Sequence, residues 1–62
     1  MIVIFEGKKK RIKFSGKASE LLKKLGINSQ IVVLFRNGKI ITEEEKLSDK
    51  DKIEIERVIF GG

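Results

Sequence analysis

Apolar residues follow a strand period at both ends of the chain and a helical period between them. Residues 1–5 form an apolar, β-branched run that predicts a first strand. Residues 10–14 predict a second, because Ile12 and Phe14 alternate with basic side chains and would face one side. Residues 6–8 form the turn between them. The chain therefore opens with a predicted hairpin that has one buried face.

The predicted helix spans residues 18–25, and its apolar side chains fall on one stripe: Ala18, Leu21, Leu22 and Leu25. Gly26 directly follows and is suited to a left-handed C-terminal cap. The start is less defined, since Ser15, Gly16 or Ser19 could serve as the N-terminal cap. The stripe predicts one amphipathic helix that needs a sheet to pack against.

Three further strands are predicted in the second half of the chain, at residues 31–35, 39–42 and 52–59. Asn37-Gly38 between the first two is a strong signal for a two-residue hairpin turn. The acidic residues 43–46 predict an exposed segment, Leu47 is expected to point into the core, and residues 48–51 form a turn.

This order of elements, ββαβββ, predicts an α+β domain with one helix on one face of a mixed sheet. We interpret it as a β-grasp arrangement with four to five strands, in which the first and last strands are parallel neighbours. Residues 1–59 would form a single domain. Residues 60–62 would then project from the end of a central strand as a flexible tail.

Composition excludes several kinds of chemistry. The 62 residues include no Cys and no His, so a thiol nucleophile, an imidazole base, a disulfide and the usual zinc ligands are all excluded. The acidic residues lack the glycine and the ligand spacing of a calcium loop, and no metal site is expected. No apolar run approaches the ~20 residues that span a bilayer, and we expect a cytoplasmic protein without a membrane partner.

The net charge is +5, and four basic residues stand together at positions 8–11. Such a run could contact RNA or an acidic protein surface. The alternative, a solvated face that keeps a small domain soluble, is preferred, because Trp and Tyr are absent and bases would have no stacking platform. Direct nucleic-acid binding is therefore not expected.

The last two residues, Gly61 and Gly62, hold the other candidate chemistry. Neither has a Cβ, so a terminal carboxylate on Gly62 could be threaded into a narrow channel. The alternative is that two terminal glycines are incidental.

A docking surface is predicted from the strand alternation. If the inward positions of the strands face the helix, four apolar residues fall on the opposite face: Ile2, Ile4, Val33 and Phe35. An apolar cluster on the open face of a small sheet indicates a protein contact, either with a partner or with a second copy.

Four segments, in their order and spacing, resemble the ubiquitin-like sulfur carriers: residues 18–25, 33–38, 47–55 and 57–62. The size is most similar to that of the thiamin-pathway (ThiS) carriers. The chain is also similar to the molybdopterin (MoaD) carriers and to archaeal ubiquitin-like modifiers and tRNA-thiolation carriers. The resemblance covers the whole chain and implies a β-grasp fold.

The resemblance also implies a function. The protein would be a co-substrate and not an enzyme. A ubiquitin-activating-type enzyme would adenylate the Gly62 carboxylate with ATP and Mg²⁺, and a persulfide donor would convert it to a thiocarboxylate. Gly61 and Phe60 would thread the partner's channel. The implied partners are the adenylating enzyme, a sulfur transferase, and a thiazole-synthase-like acceptor or a tRNA thiolase.

The destination of the sulfur stays open at this point. Thiamin thiazole formation is the first expectation, with tRNA 2-thiouridine, molybdopterin synthesis and conjugation through Gly62 as alternatives. A plain β-grasp binding module is the remaining one. Three features depart from the thiamin carriers: the positive charge, Phe60 in place of a small residue, and Lys50 where a glycine is usual.

Overall fold

The computed structural model describes residues 1–58 and packs one helix on one face of a five-stranded sheet. In chain order the elements are β1 (Ile2–Phe5), β2 (Lys8–Arg11), β3 (Gly16–Lys17), helix α1 (Ala18–Leu25), a 3-10 helix (Ser29–Ile31), β4 (Val32–Arg36), β5 (Lys39–Ile41), β6 (Lys46–Leu47) and β7 (Lys52–Arg57). The sheet order is β2-β1-β7-β4-β5, which confirms the predicted β-grasp arrangement.

The last strand of the described chain occupies the centre of this sheet. β7 runs parallel to β1, with Ile2 opposite Lys52 and Phe5 opposite Ile55, and antiparallel to β4. The predicted parallel pairing of the first and last strands is therefore confirmed. The end of the predicted strand at Ile59, and the predicted tail, lie outside the described residues.

Both hairpins turn on two residues with positive φ. Asn37 and Gly38 have φ of 51° and 84°, as the sequence predicts, and Glu6 and Gly7 have φ of 52° and 74°. Two positive φ values match the twist of adjoining strands. The tight first turn pairs Phe5 with Lys8, so the predicted second strand at residues 10–14 is wrong in its bounds.

The helix has the predicted bounds, but its N-terminal cap differs from the prediction. Its N-terminal cap is Lys17, not a serine or Gly16, and the Lys17 N–H donates to the Glu20 carboxylate at 3.1 Å. The first-turn N–H groups of Ala18 and Ser19 donate to backbone carbonyls in the acidic segment, at 2.9 Å and 2.8 Å. Tertiary contacts thus satisfy the donors that a serine cap would otherwise serve. Gly26, with φ of 72°, ends the helix as predicted.

A short ladder that the sequence did not predict ties this region together. β3 pairs antiparallel with β6, with Gly16 opposite Leu47. Leu47 is buried, as predicted. In the following turn Lys50 does not take a positive φ, so no strain attaches to the lysine that replaces a glycine there.

The core lies between α1 and the inner face of the sheet. Its buried side chains are Met1, Val3, Ala18, Leu21, Leu22, Leu34, Leu47, Ile53 and Ile55. Ile12 and Phe14 pack against it, as predicted, although they follow β2 and do not belong to it. Among the described residues, no helix has the length and apolar character needed to cross a membrane.

Asp49, in the turn before β7, links this turn to two distant parts of the chain. Its carboxylate accepts the Phe14 N–H at 2.8 Å and a hydrogen bond from the Met1 ammonium at 3.2 Å. The Phe14 N–H, followed by the ammonium, lowers the pKa of Asp49 below its ordinary value. The ionised form is therefore favoured by folding.

We expect Asp49→Asn to lower the melting temperature at pH 7 and to have a progressively smaller effect as the pH falls below the ordinary pKa of the carboxyl. A lowered folded-state pKa contributes stability above the ordinary pKa, and this stability is lost as the pH falls through the folded-state value. Thermal melting of both proteins across this range measures the difference. A difference that stays constant with pH would show that the charge of Asp49 does not matter.

Candidate functional site

The central strand carries the chain to the predicted site. β7 ends at Arg57, and the next N–H, of Val58, donates to the Ile31 carbonyl at 2.8 Å. The predicted tail residues Phe60, Gly61 and Gly62 lie outside the described residues. The structure therefore describes the strand that leads toward these residues, and this strand has neighbours on both sides.

Aromatic and charged side chains surround the end of β7, which we call the exit. The Arg57 guanidinium lies 5.8 Å from the centre of the Phe5 ring and 3.5 Å from the Glu6 carboxylate. Both charged partners are about half exposed, so the ion pair adds little stability. Ile31, beside the exit, is also exposed. The described end of β7 thus presents a mixed apolar and charged surface.

The four residues predicted as a docking face do lie on one face of the sheet. Residues that stand opposite one another in neighbouring strands share a face. Ile4 is opposite Glu54, and Glu54 is opposite Phe35, which places Ile4 and Phe35 on the open side, about 10 Å apart at roughly 4.8 Å per strand. Ile2 and Val33 lie on the same side by alternation. All four are half-buried, and their role in docking stays a prediction.

Two residues of this face were missed at the sequence level. Ile40, opposite Phe35 on the edge strand, is 68% exposed, the largest exposure among the bulky apolar residues described. Glu54 is half-buried between Ile4 and Phe35. The alternation of 52–57 indicated that Glu54 faces away from the helix, but its apolar neighbours follow from the strand order.

The open face is therefore two apolar patches separated by a charged central strand. Ile2 and Ile4 lie on one side of β7, and the second patch contains Val33, Phe35 and Ile40. Glu54 and Glu56 stand between the patches. We call the whole surface the open face. It can accept a partner that combines apolar contacts with a basic side chain at its centre.

Two acidic side chains that follow β5, Glu45 and Asp51, have structural partners. The Arg36 guanidinium donates to the Lys46 carbonyl at 3.0 Å and to the Glu45 carboxylate at 3.1 Å, and it lies 4.0 Å from Asp51. The Asp51 carboxylate accepts the Ser48 N–H at 2.8 Å. Within residues 1–58, no three acidic side chains come together as a metal site.

Comparisons with known proteins agree with this architecture. The sequence model of the ThiS family matches residues 3–62. The chain is 32% identical over 57 residues to the sulfur carrier protein TtuB of Thermus thermophilus, covering 92% of this chain and 88% of that protein. The crystal structure of the thiamine biosynthesis protein ThiS from Geobacter metallireducens superposes with a TM-score of 0.70 at 23% identity, with both chains fully covered.

The comparisons support different conclusions. The structural likeness supports the fold alone, because the sequence identity is only 23%. The family match covers nearly the whole chain and includes both final glycines. The chain therefore belongs to the ThiS family of ubiquitin-like sulfur carriers.

Proposed function

We propose that the protein carries sulfur as a thiocarboxylate on Gly62 and delivers it to the thiazole of thiamin. The observation that carries the proposal is the central position of β7, which leads into residues 59–62 in a chain that matches the ThiS family through Gly62. A strand with neighbours on both sides gives those residues a rigid anchor.

The proposed chemistry takes place on partner enzymes. A carboxylate oxygen of Gly62 attacks the α-phosphorus of ATP, and pyrophosphate leaves. The terminal sulfur of a persulfide attacks the acyl carbon, and AMP leaves. A thiol then cleaves the resulting sulfur–sulfur bond, which releases the thiocarboxylate and forms a disulfide. An adenylating enzyme and a sulfur transferase are therefore the proposed partners, with ATP and Mg²⁺ used by the former.

The chain lacks His and Cys, and in this proposal the partner enzymes supply the general acid and base for these steps. Its contribution is to present an unhindered carboxylate, because glycine has no side chain to obstruct a nucleotide channel. It also supplies a folded surface by which a partner holds it.

We propose the open face as the surface that the adenylating enzyme grips. Phe35 is half-buried near its centre, and the exposed Ile40 extends the apolar area to the sheet edge. A partner that covers Phe35 also covers Glu54, which stands opposite it. Since a buried carboxylate requires a partner, we expect a basic side chain of the enzyme at this position.

Replacing Phe35 with Asp should weaken binding to the adenylating enzyme by at least about tenfold, as when a central aromatic contact is lost. The fold should persist, because this side chain points away from the helix. Calorimetric titration measures the affinity, and Ser15→Asp, which adds the same side chain at an exposed site, serves as the control. Unchanged affinity in Phe35→Asp would remove the open face from the interface.

The acceptor is proposed from the motif spacing, which resembles that of the thiamin carriers. Disruption of the gene should create a growth requirement for thiamin or its thiazole precursor, which the wild-type gene relieves. A thiazole-synthase-like enzyme would then be the partner that takes the sulfur. Normal growth without thiamin would contradict this assignment.

The positive charge favours a second acceptor, tRNA 2-thiouridine, because tRNA is a polyanion. Phe60 also departs from the thiamin carriers. In that case the disrupted strain should lose 2-thiouridine from its tRNA and keep its independence of thiamin. Analysis of tRNA nucleosides by mass spectrometry in the same strain separates the two acceptors.

A further inference from the structure

The outer edge of β2 has no role in the proposed chemistry. β2 pairs with β1, and no other strand within residues 1–58 pairs with its second side. Ile12 and Met1 exchange two backbone hydrogen bonds of 2.9 Å. This pair fixes which residues of β2 direct their N–H and C=O groups toward β1 and which direct them away. By this alternation along the strand, the N–H and C=O groups of Lys9 and Arg11 point away from β1. They form a free edge.

A groove of about 400 Å³ runs beside this edge, between β2 and the end of α1. The groove has an apolar floor and a basic rim. The floor is formed by Val3, Phe5, Leu25 and Ile27, and the rim by Lys8 and Lys10. A second groove of about 300 Å³ shares Phe5, Leu25 and Ile27 and continues to Arg57. The free edge therefore adjoins a long apolar depression.

The charge of this region is positive on both faces of the sheet. Lys9 and Arg11 stand opposite Ile4 and Ile2 and share the open face with them, while Lys8 and Lys10 lie on the helix side. Residues 8–11 are all exposed. The acidic residue of the groove lining, Glu6, is paired with Arg57.

We propose that the β2 edge binds an extended protein segment in which apolar and acidic residues alternate. Pairing with Lys9 and Arg11 would supply main-chain hydrogen bonds, as in other cases of strand addition. Because side chains alternate across a strand, one set would enter the groove and the other would lie on the open face beside Lys9 and Arg11. Apolar residues fit the set that enters the groove, and acidic residues fit the set that lies beside Lys9 and Arg11.

Other occupants fit less well. Lysines on an edge strand oppose pairing between copies, and a second β2 would bring like charges together. The chain's own residues 59–62 include no acidic side chain. RNA would use the positive charge but neither the free backbone groups nor the apolar floor.

The direct test is titration of the full-length, isotope-labelled protein with a short peptide in which valine and isoleucine alternate with aspartate and glutamate. Amide signals of Arg11 on the edge and of Leu25 and Ile27 in the groove should shift. A peptide of the same composition with its acidic residues clustered at one end should bind about tenfold more weakly. Equal binding of both peptides would overturn the proposal.

Variants separate the backbone contribution from the charge. Lys9→Pro removes an outward N–H without breaking a bond to β1, and edge strands tolerate proline at such positions. It should bind the peptide about tenfold more weakly than Lys9→Ala, which loses the same charge. The double variant Lys9→Glu/Arg11→Glu should also lose about tenfold relative to the wild type. An unchanged melting temperature confirms folding in each case.

Three further results would overturn the proposal: peptide-induced shifts confined to Val33 and Phe35, tighter binding of a single-stranded RNA oligonucleotide than of the peptide, or equal affinities of Lys9→Pro and Lys9→Ala. Shifts at Arg11 that depend on protein concentration alone would indicate a second copy instead. A large gain in peptide affinity on removal of residues 60–62 would indicate that the chain's own end occupies the groove.

Discussion

Deletion of Gly62 should abolish adenylation by the activating enzyme. The shortened chain still ends in a carboxylate, but that group is drawn back by one residue, roughly 3.5 Å. A misplacement of about 1 Å can reduce a rate about 100-fold, so we expect kcat/KM for ATP–pyrophosphate exchange to fall by at least that factor. Gly62→Val should act similarly, because a β-branched side chain would stand beside the reacting carboxylate.

The fold should be unaffected by either change, because the described core lies within residues 1–58. Lys39→Val is the matched control for Gly62→Val, since it places the same side chain on the exposed edge strand β5. It should keep full exchange activity. Normal exchange by the protein lacking Gly62 would show that this carboxylate is not the activated group.

Ile53→Ala should give the largest loss of stability. Ile53 is fully buried in β7, opposite Val3 of β1, and belongs to the core cluster. Removing a buried isoleucine side chain to alanine costs about 2–5 kcal/mol, and small domains have total stabilities near the lower end of about 5–15 kcal/mol. We therefore expect a much lower urea midpoint and a substantial unfolded fraction at 37 °C.

The matched control is Ile40→Ala, which makes the same change at a side chain that is 68% exposed. Its effect on the free energy of unfolding should stay within about 0.5 kcal/mol. Ile53→Val should fall between the two, at about 0.5–1.5 kcal/mol. Equal effects of Ile53→Ala and Ile40→Ala would contradict the placement of β7 at the centre of the core.

The fold was largely predictable from local patterns. The apolar stripe of α1, the glycine that ends it, and the Asn37-Gly38 turn are signals contained in a few neighbouring residues, and the structure has all three. The parallel pairing of β1 and β7 followed from the order of elements. Such features need no knowledge of distant contacts.

The errors have three separate physical causes. The helix begins at Ala18 after Lys17, without a serine cap, because the carbonyls of Glu43 and Glu45 accept its first N–H groups. β2 begins at Lys8 because Glu6 takes a positive φ that a sequence pattern would not assign to glutamate. The β3–β6 ladder has two residues in each strand, too few for an alternation to be seen.

The open face was predicted only in part, because its full composition depends on the order of the strands in the sheet. Alternation alone placed Ile4 and Phe35 on the side away from the helix. The strand order was needed to show that Glu54 separates them and that Ile40 extends the second patch. The groove beside β2 could not be predicted, since it depends on how far α1 extends over the sheet.

The most direct test of the proposed function is the intact mass of the protein purified from its own cells. We predict a species heavier by the replacement of one oxygen with one sulfur atom, with the change confined to the peptide that contains Gly62. This species should be absent from cells that lack the adenylating enzyme. Finding Gly62 joined to lysines of other proteins, with no sulfur-containing species, would instead assign the chain to protein modification and contradict the proposed role as a sulfur carrier.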